Sequence, residues 1–151
     1  MMSLLDLTFL LAVAGYAGLA AAVVMAGAGR PPVRLWRATS VVIVLHVTLV
    51  WAVRYEWSLA EATRNGPAGF LIFHGALALI VVSHAVRPGV AGRLIAVAFA
   101  IVTLGALGAV FRYAEVAVYR IPVILIAAAG ATGLLRQYVR RAGTAGRRRS
   151  P

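Results

Sequence analysis

An all-α, polytopic bundle of transmembrane helices is the fold class this sequence predicts, and three observations carry the prediction. Hydrophobic residues make up 62% of the 151, against roughly 45–50% in soluble domains. Charged residues are 13%, about half the usual share. The apolar residues also fall into runs near the ~20 residues a helix needs to cross a ~30 Å hydrocarbon core. A soluble chain of this size needs more polar surface than this to cover its core. The surplus apolar surface is therefore expected to face lipid, where backbone groups must be paired internally and long runs are helices.

Five spans are expected, at about residues 4–26, 38–57, 68–86, 93–111 and 118–136, with four as the alternative. The first carries only Asp6 near its start and is broken by Gly27-Ala28-Gly29-Arg30-Pro31-Pro32. It lacks the basic start of a signal peptide, so it reads as an uncleaved helix entering with its N-terminus outside. The second is apolar from Ala38 to Val53 and extends through Arg54 and Trp57 at the interface. The third follows Gly66-Pro67 and stops at Arg87-Pro88-Gly89. The fourth runs from about Leu94 to Phe111. The fifth is the shortest in apolar residues, fifteen uncharged positions between Arg120 and Arg136. Both arginines can snorkel outward, and Pro122 suits a first helical turn. If this segment does not span, it is re-entrant or interfacial. The bundle then covers residues 1–135, and 136–151 form a basic tail.

Short arginine-rich loops stay in the cytoplasm. With five spans, Arg30, Arg34, Arg37, Arg87, Arg93, Arg136, Arg140, Arg141, Arg147, Arg148 and Arg149 fall on one side. Arg54, Arg64, Arg112 and Arg120 fall on the other, together with all four acids, Asp6, Glu56, Glu61 and Glu115. The outer side sums to zero and the inner side carries the whole net charge of +11. The C-terminus is thus expected in the cytoplasm. Arg140, Arg141, Arg147, Arg148 and Arg149 are expected to touch anionic lipid head groups, at ~1 kcal/mol each near the surface. A nucleic-acid arm would want aromatic interleaving or a folded reader, and the tail has neither. All fifteen basic residues are arginine, which points to a GC-rich bacterial genome and hence to a bacterial plasma membrane.

The absence of cysteine excludes disulfides, thiol catalysis and zinc–cysteine sites. Serine-hydrolase and metal-hydrolase motifs are absent. Apart from Asp6, and Glu56 at the outer interface, the spans hold no acid of the kind a proton-coupled carrier uses. A small-solute carrier is the weakest class, and no enzymatic chemistry is expected. Small residues at Ala14, Gly15, Gly18, Gly105, Gly108, Ala127, Ala129, Ala131 and Gly133 favour close helix packing, within the chain or against another subunit.

Ionisable side chains inside a membrane are costly, so each is a candidate site. Here they are His46 on the second span and His74 and His84 on the third. At ~1.5 Å per residue, His46 and His74 fall at similar depth on consecutive, antiparallel helices. Two histidines facing across a bundle can ligate a b-type haem iron, with Arg54 or Arg64 at the outer end for the propionates. The competing reading is structural: each histidine bonds a neighbouring carbonyl or hydroxyl, such as Thr39, Thr48 or Ser83. The tract from Trp36 to Trp57 resembles the histidine-bearing helices of membrane b-type cytochromes, over about one helix. Haem b is the cofactor that the two facing histidines imply. Two functions follow as expectations: an accessory or scaffold subunit of a membrane complex, such as a respiratory one, with other subunits or itself as partners; or a b-haem electron-transfer protein ligated by His46 and His74.

Overall fold

The computed structural model describes residues 3–64 and 66–147. Among them there is helix and no strand: α1 Leu4–Gly27, α2 Val33–Val53, α3 Leu59–Thr63, α4 Pro67–Ser83, α5 Pro88–Arg112 and α6 Arg120–Arg147. A 3-10 helix, Ala114–Tyr119, joins α5 to α6.

The ends of the helices follow from local chemistry. Ser3 caps α1: its hydroxyl accepts from the Asp6 amide, and the Asp6 carboxylate accepts from the Ser3 amide. This reciprocal box gives the acid of the first span a structural job. At the other end Gly29 adopts φ 78, a backbone state open to glycine at little cost. The Gly29 and Arg30 amides then donate to the Ala26 and Met25 carbonyls, closing α1 with a Schellman turn. Pro67 and Pro88 open α4 and α5 at positions where no amide donor is needed.

α1 lies at the centre, packed along its length between α2 and α6. It runs antiparallel to α2, since Thr8 meets His46 and Gly18 meets Thr39. It runs parallel to α6: Phe9 meets Tyr119 near one end, and Val24 meets Gly133 near the other. α5 lies against both α1 and α6 and forms an antiparallel hairpin with α4, where Gly105 touches Ile72 and Phe73. The core is Tyr16, Leu19, Val23, Ile80, Ala98 and Phe99, all buried. Outside it the helices are apolar and exposed, as at Leu71, Leu104, Leu125 and Ile121.

Among the described residues four segments are long and apolar enough to cross a membrane: Leu4–Gly27, Val33–Val53, Pro88–Arg112 and Ala114–Gly143. The remaining long apolar helix, α4, falls below that length with 17 residues. The sequence pointed to the fifth segment as the shortest, but α6 continues without a break through Arg136 to Arg147. Arginine is a good helix former, so the basic stretch extends the helix instead of ending it. α4 stops at Ser83, short of residue 86, because Pro88 removes a donor and restricts Arg87 to an extended conformation. α2 and α5 begin about one turn earlier than expected, at Val33 and Pro88.

These directions sort the charges. Arg30, Arg34, Arg37, Arg87, Arg93, Arg136, Arg140 and Arg141 lie at one end of the bundle. Asp6, Glu56, Glu61 and Glu115 lie at the other, with Arg54, Arg64, Arg112 and Arg120.

Candidate functional site

The polar residues between the helices gather along α2. Near its acidic end, His46 Nδ1 lies 2.9 Å from the Thr8 carbonyl of α1. A carbonyl only accepts, so this nitrogen carries the proton. On α4, His74 Nδ1 donates in the same way to the Phe70 carbonyl at 2.9 Å. Its Nε2 accepts from the Trp51 indole of α2 at 3.0 Å. Trp51 also stacks on Trp57 and meets Tyr55 and Phe70 edge-on. The turn behind this aromatic cluster holds Glu56 and Trp57 at φ 47 and 59, costly for side chains with a Cβ. It is closed by the Trp57 amide donating to the Trp51 carbonyl.

A second group sits at the arginine-rich end. Ser40 donates its hydroxyl proton to the Trp36 carbonyl, so it accepts from His84 Nε2 at 2.9 Å. The Trp36 indole donates to Ser83, which donates to the Ile80 carbonyl. The Trp36 and His84 rings stack at 5.8 Å. All three histidines therefore tie α2 to a neighbour, His46 to α1 and His74 and His84 to α4.

The expected pair of facing histidines takes a different form. α2 and α4, separated in the chain only by the short α3, touch at few places, and α1 is the main neighbour of α2. His46 turns to α1 and His74 to Trp51, and the structure does not bring the two rings together by a hydrogen bond or ring contact. His46 keeps Nε2 as its acceptor nitrogen, oriented by the Thr8 bond in the manner of a haem ligand. For His74 to bind a metal through Nε2, the Trp51 bond would have to break. Arg54 lies 3.5 Å from Glu115 and Arg64 3.1 Å from Glu61, so both candidate propionate partners already hold carboxylates. These pairs are exposed, and such pairs contribute ~0–1 kcal/mol.

Arg140 donates to the Gly27 carbonyl at 3.2 Å, and with Arg136 it lines a groove of about 540 Å3 beside the end of α1. Arg141 is exposed on α6. Arg147 ends α6, while Arg148 and Arg149 lie outside the described residues.

Several ties could not be paired from the sequence. Gln137 is buried and donates to the Val23 carbonyl. Tyr16 shares a hydrogen bond with Thr103 at 2.8 Å. Arg120 donates to the Val110 carbonyl at the end of α5. A lone polar residue in a long apolar run marks such positions, but its partner depends on which helices meet. Trp51→Phe keeps the ring and removes the donor. It is expected to cost ~1 kcal/mol, with a Trp51/His74 coupling of ~0.6 kcal/mol or more in a double-mutant cycle read by unfolding in mixed micelles. Additive single effects would show the bond to be idle.

Comparison with known proteins places no relative beside this arrangement: no family model, curated protein or solved structure matches the chain.

Proposed function

We propose that this chain is a small multi-pass protein of a bacterial plasma membrane and acts as an accessory or scaffold subunit of a membrane complex, with no chemistry of its own. The observation that carries this reading is how the interior polar groups are used. His46, His74, His84, Trp36, Trp51, Tyr16 and Gln137 each take part in a bond to another helix. Among the described residues no buried side-chain nitrogen or oxygen lacks a partner. Such groups lock helices together, and the apolar faces outside them suit lipid or a neighbouring subunit.

The membrane path in this reading has five crossings, with the N-terminus outside and the C-terminus in the cytoplasm. α4 supports the odd count: at ~1.5 Å per residue its 17 residues reach roughly 25 Å, the lower limit for a span. The pairing of α4 with α5 along the bundle supports it too, as does the collection of every acid at one end. A fluorescent protein fused after Pro151 is expected to fluoresce in the cytoplasm. An alkaline phosphatase fusion at the same point is expected to be inactive, and an active one would overturn the orientation.

The functional reading is tested on protein extracted from its own membranes. The expected result is a stoichiometric membrane partner and a featureless reduced-minus-oxidised visible spectrum. A lone chain with an α-band that disappears in His46→Ala and His74→Ala would replace the scaffold with a b-haem electron carrier.

A further inference from the structure

We propose that the groove between α2 and α4 at the arginine-rich end is a binding site for one anionic phospholipid. Its phosphate would sit at Arg37, at the mouth beside His84, and an acyl chain would lie along Val44, Leu45 and Val81. The groove has a volume of about 450 Å3 and opens between two helices bonded, among the described residues, by Trp36–Ser83 and Ser40–His84 at this end and Trp51–His74 at the other.

Charge at the mouth selects the head group. Arg37 is exposed and makes no hydrogen bond or ion pair with any described residue. No acid of this chain lies at that end, since all four are at the other. His84 is held beside it by Ser40 and by stacking on Trp36, with part of its ring exposed. A guanidinium without a protein counter-charge at a membrane surface is complemented by phosphate.

The walls select the rest of the molecule. Val44, Leu45 and Val81 are exposed at 44%, 51% and 56%. Val44 lies seven residues beyond Arg37 on α2, roughly 10 Å deeper. An anion at one end and hydrocarbon for the next several ångströms is the outline of a phospholipid. A second copy fits less well, because in the same membrane orientation it would bring arginine, not carboxylate, to this depth. A neutral quinone would leave Arg37 without a counter-charge.

The test uses the full chain, delipidated in mild detergent, with added dioleoylphosphatidylglycerol or dioleoylphosphatidylcholine, read by native mass spectrometry. One phosphatidylglycerol is expected to be retained about tenfold more tightly than phosphatidylcholine. Arg37→Gln and Val44→Trp are each expected to remove most of that preference, and Arg136→Gln, at the other groove, to leave it intact. Both substituted side chains in the site are exposed, and unchanged elution and helix content confirm folding. The proposal is overturned by equal retention of the two lipids, or by an Arg136→Gln effect as large as that of Arg37→Gln. Displacement by glycerol phosphate, or a dimer dispersed by Val44→Trp, also overturns it. The inference rests on the multi-pass reading, and the two failures are distinct. A chain monodisperse without detergent defeats that reading, whereas a detergent-dependent chain blind to head group defeats only the lipid site.

Discussion

Gly133→Leu is expected to force α6 away from α1 and to destabilise the bundle by ~3 kcal/mol or more, the upper part of the range for overpacking. A Cβ added at Gly133 would lie 2.8 Å from the Val24 Cα and amide nitrogen. One added at Gly27, across the seam, would lie 2.5 Å from the Gly133 carbonyl oxygen. Both obstacles are backbone, so no side-chain rotation relieves the clash. Moving α6 outward also stretches the Gln137 bond to Val23 and the Arg140 bond to Gly27. These two bonds and the small-residue contact share one seam, so their losses are coupled. Gly108→Leu is the matched control, because a Cβ there meets nothing within 4 Å; its effect should stay within ~0.5 kcal/mol. The midpoint of unfolding in a mixed-micelle titration checks both. Equal midpoints for the two variants would mean that the α1–α6 seam is not a close backbone contact.

Phe99→Ala is the second large effect. Phe99 is 1% exposed, stacks on Tyr16 at 5.8 Å, and its ring presses on Gly130 of α6. It thus fills the meeting point of α1, α5 and α6. In soluble cores the same truncation costs ~3–5 kcal/mol. In a bilayer the transfer part shrinks, because lipid tails are as apolar as the core. The loss of dispersion contacts and the cavity remain. A cost of ~2–3 kcal/mol is therefore expected by the same titration. Gly130 supplies a sharper check. Gly130→Leu alone should destabilise, because the ring occupies the space its Cβ needs. In the Phe99→Ala background the same change should recover part of the loss, by filling the cavity. Additive effects of the two substitutions would show that they do not share one space.

These sites illustrate what could be read in advance and what could not. Gly18, Gly105 and Gly133 stood out as small residues suited to close contact, and each has an interhelical neighbour in the structure: Thr39, Phe73 and Val24. Gly108 stood out equally and is open. Spacing identifies a position where two helices can approach, not whether another helix comes there. Gly27 and Gly130 were less visible, one inside a loop-like Gly/Pro/Arg tract and the other in an alanine run. The histidines show the same limit. Their depths along the helices were legible from residue rise, but their directions required knowing that α1 lies between α2 and α6. That arrangement turns His46 to Thr8 and leaves His74 to Trp51.

By itself the sequence determined the all-helical class, the approximate helix positions and the separation of charge between the two ends. These depend on composition and on one-dimensional runs, and each helix satisfies its own backbone bonds without help from its neighbours. Only the tertiary structure decided that α1 is central, that α4 is the shortest of the five long helices while α6 continues to Arg147, and which partner each histidine takes. The physical reason is that α1, α4 and α5 are nearly uniformly apolar around their circumference. No wet or dry face then dictates which neighbour each one meets, and the choice falls to a few glycines and hydrogen bonds whose partners are far apart in the chain.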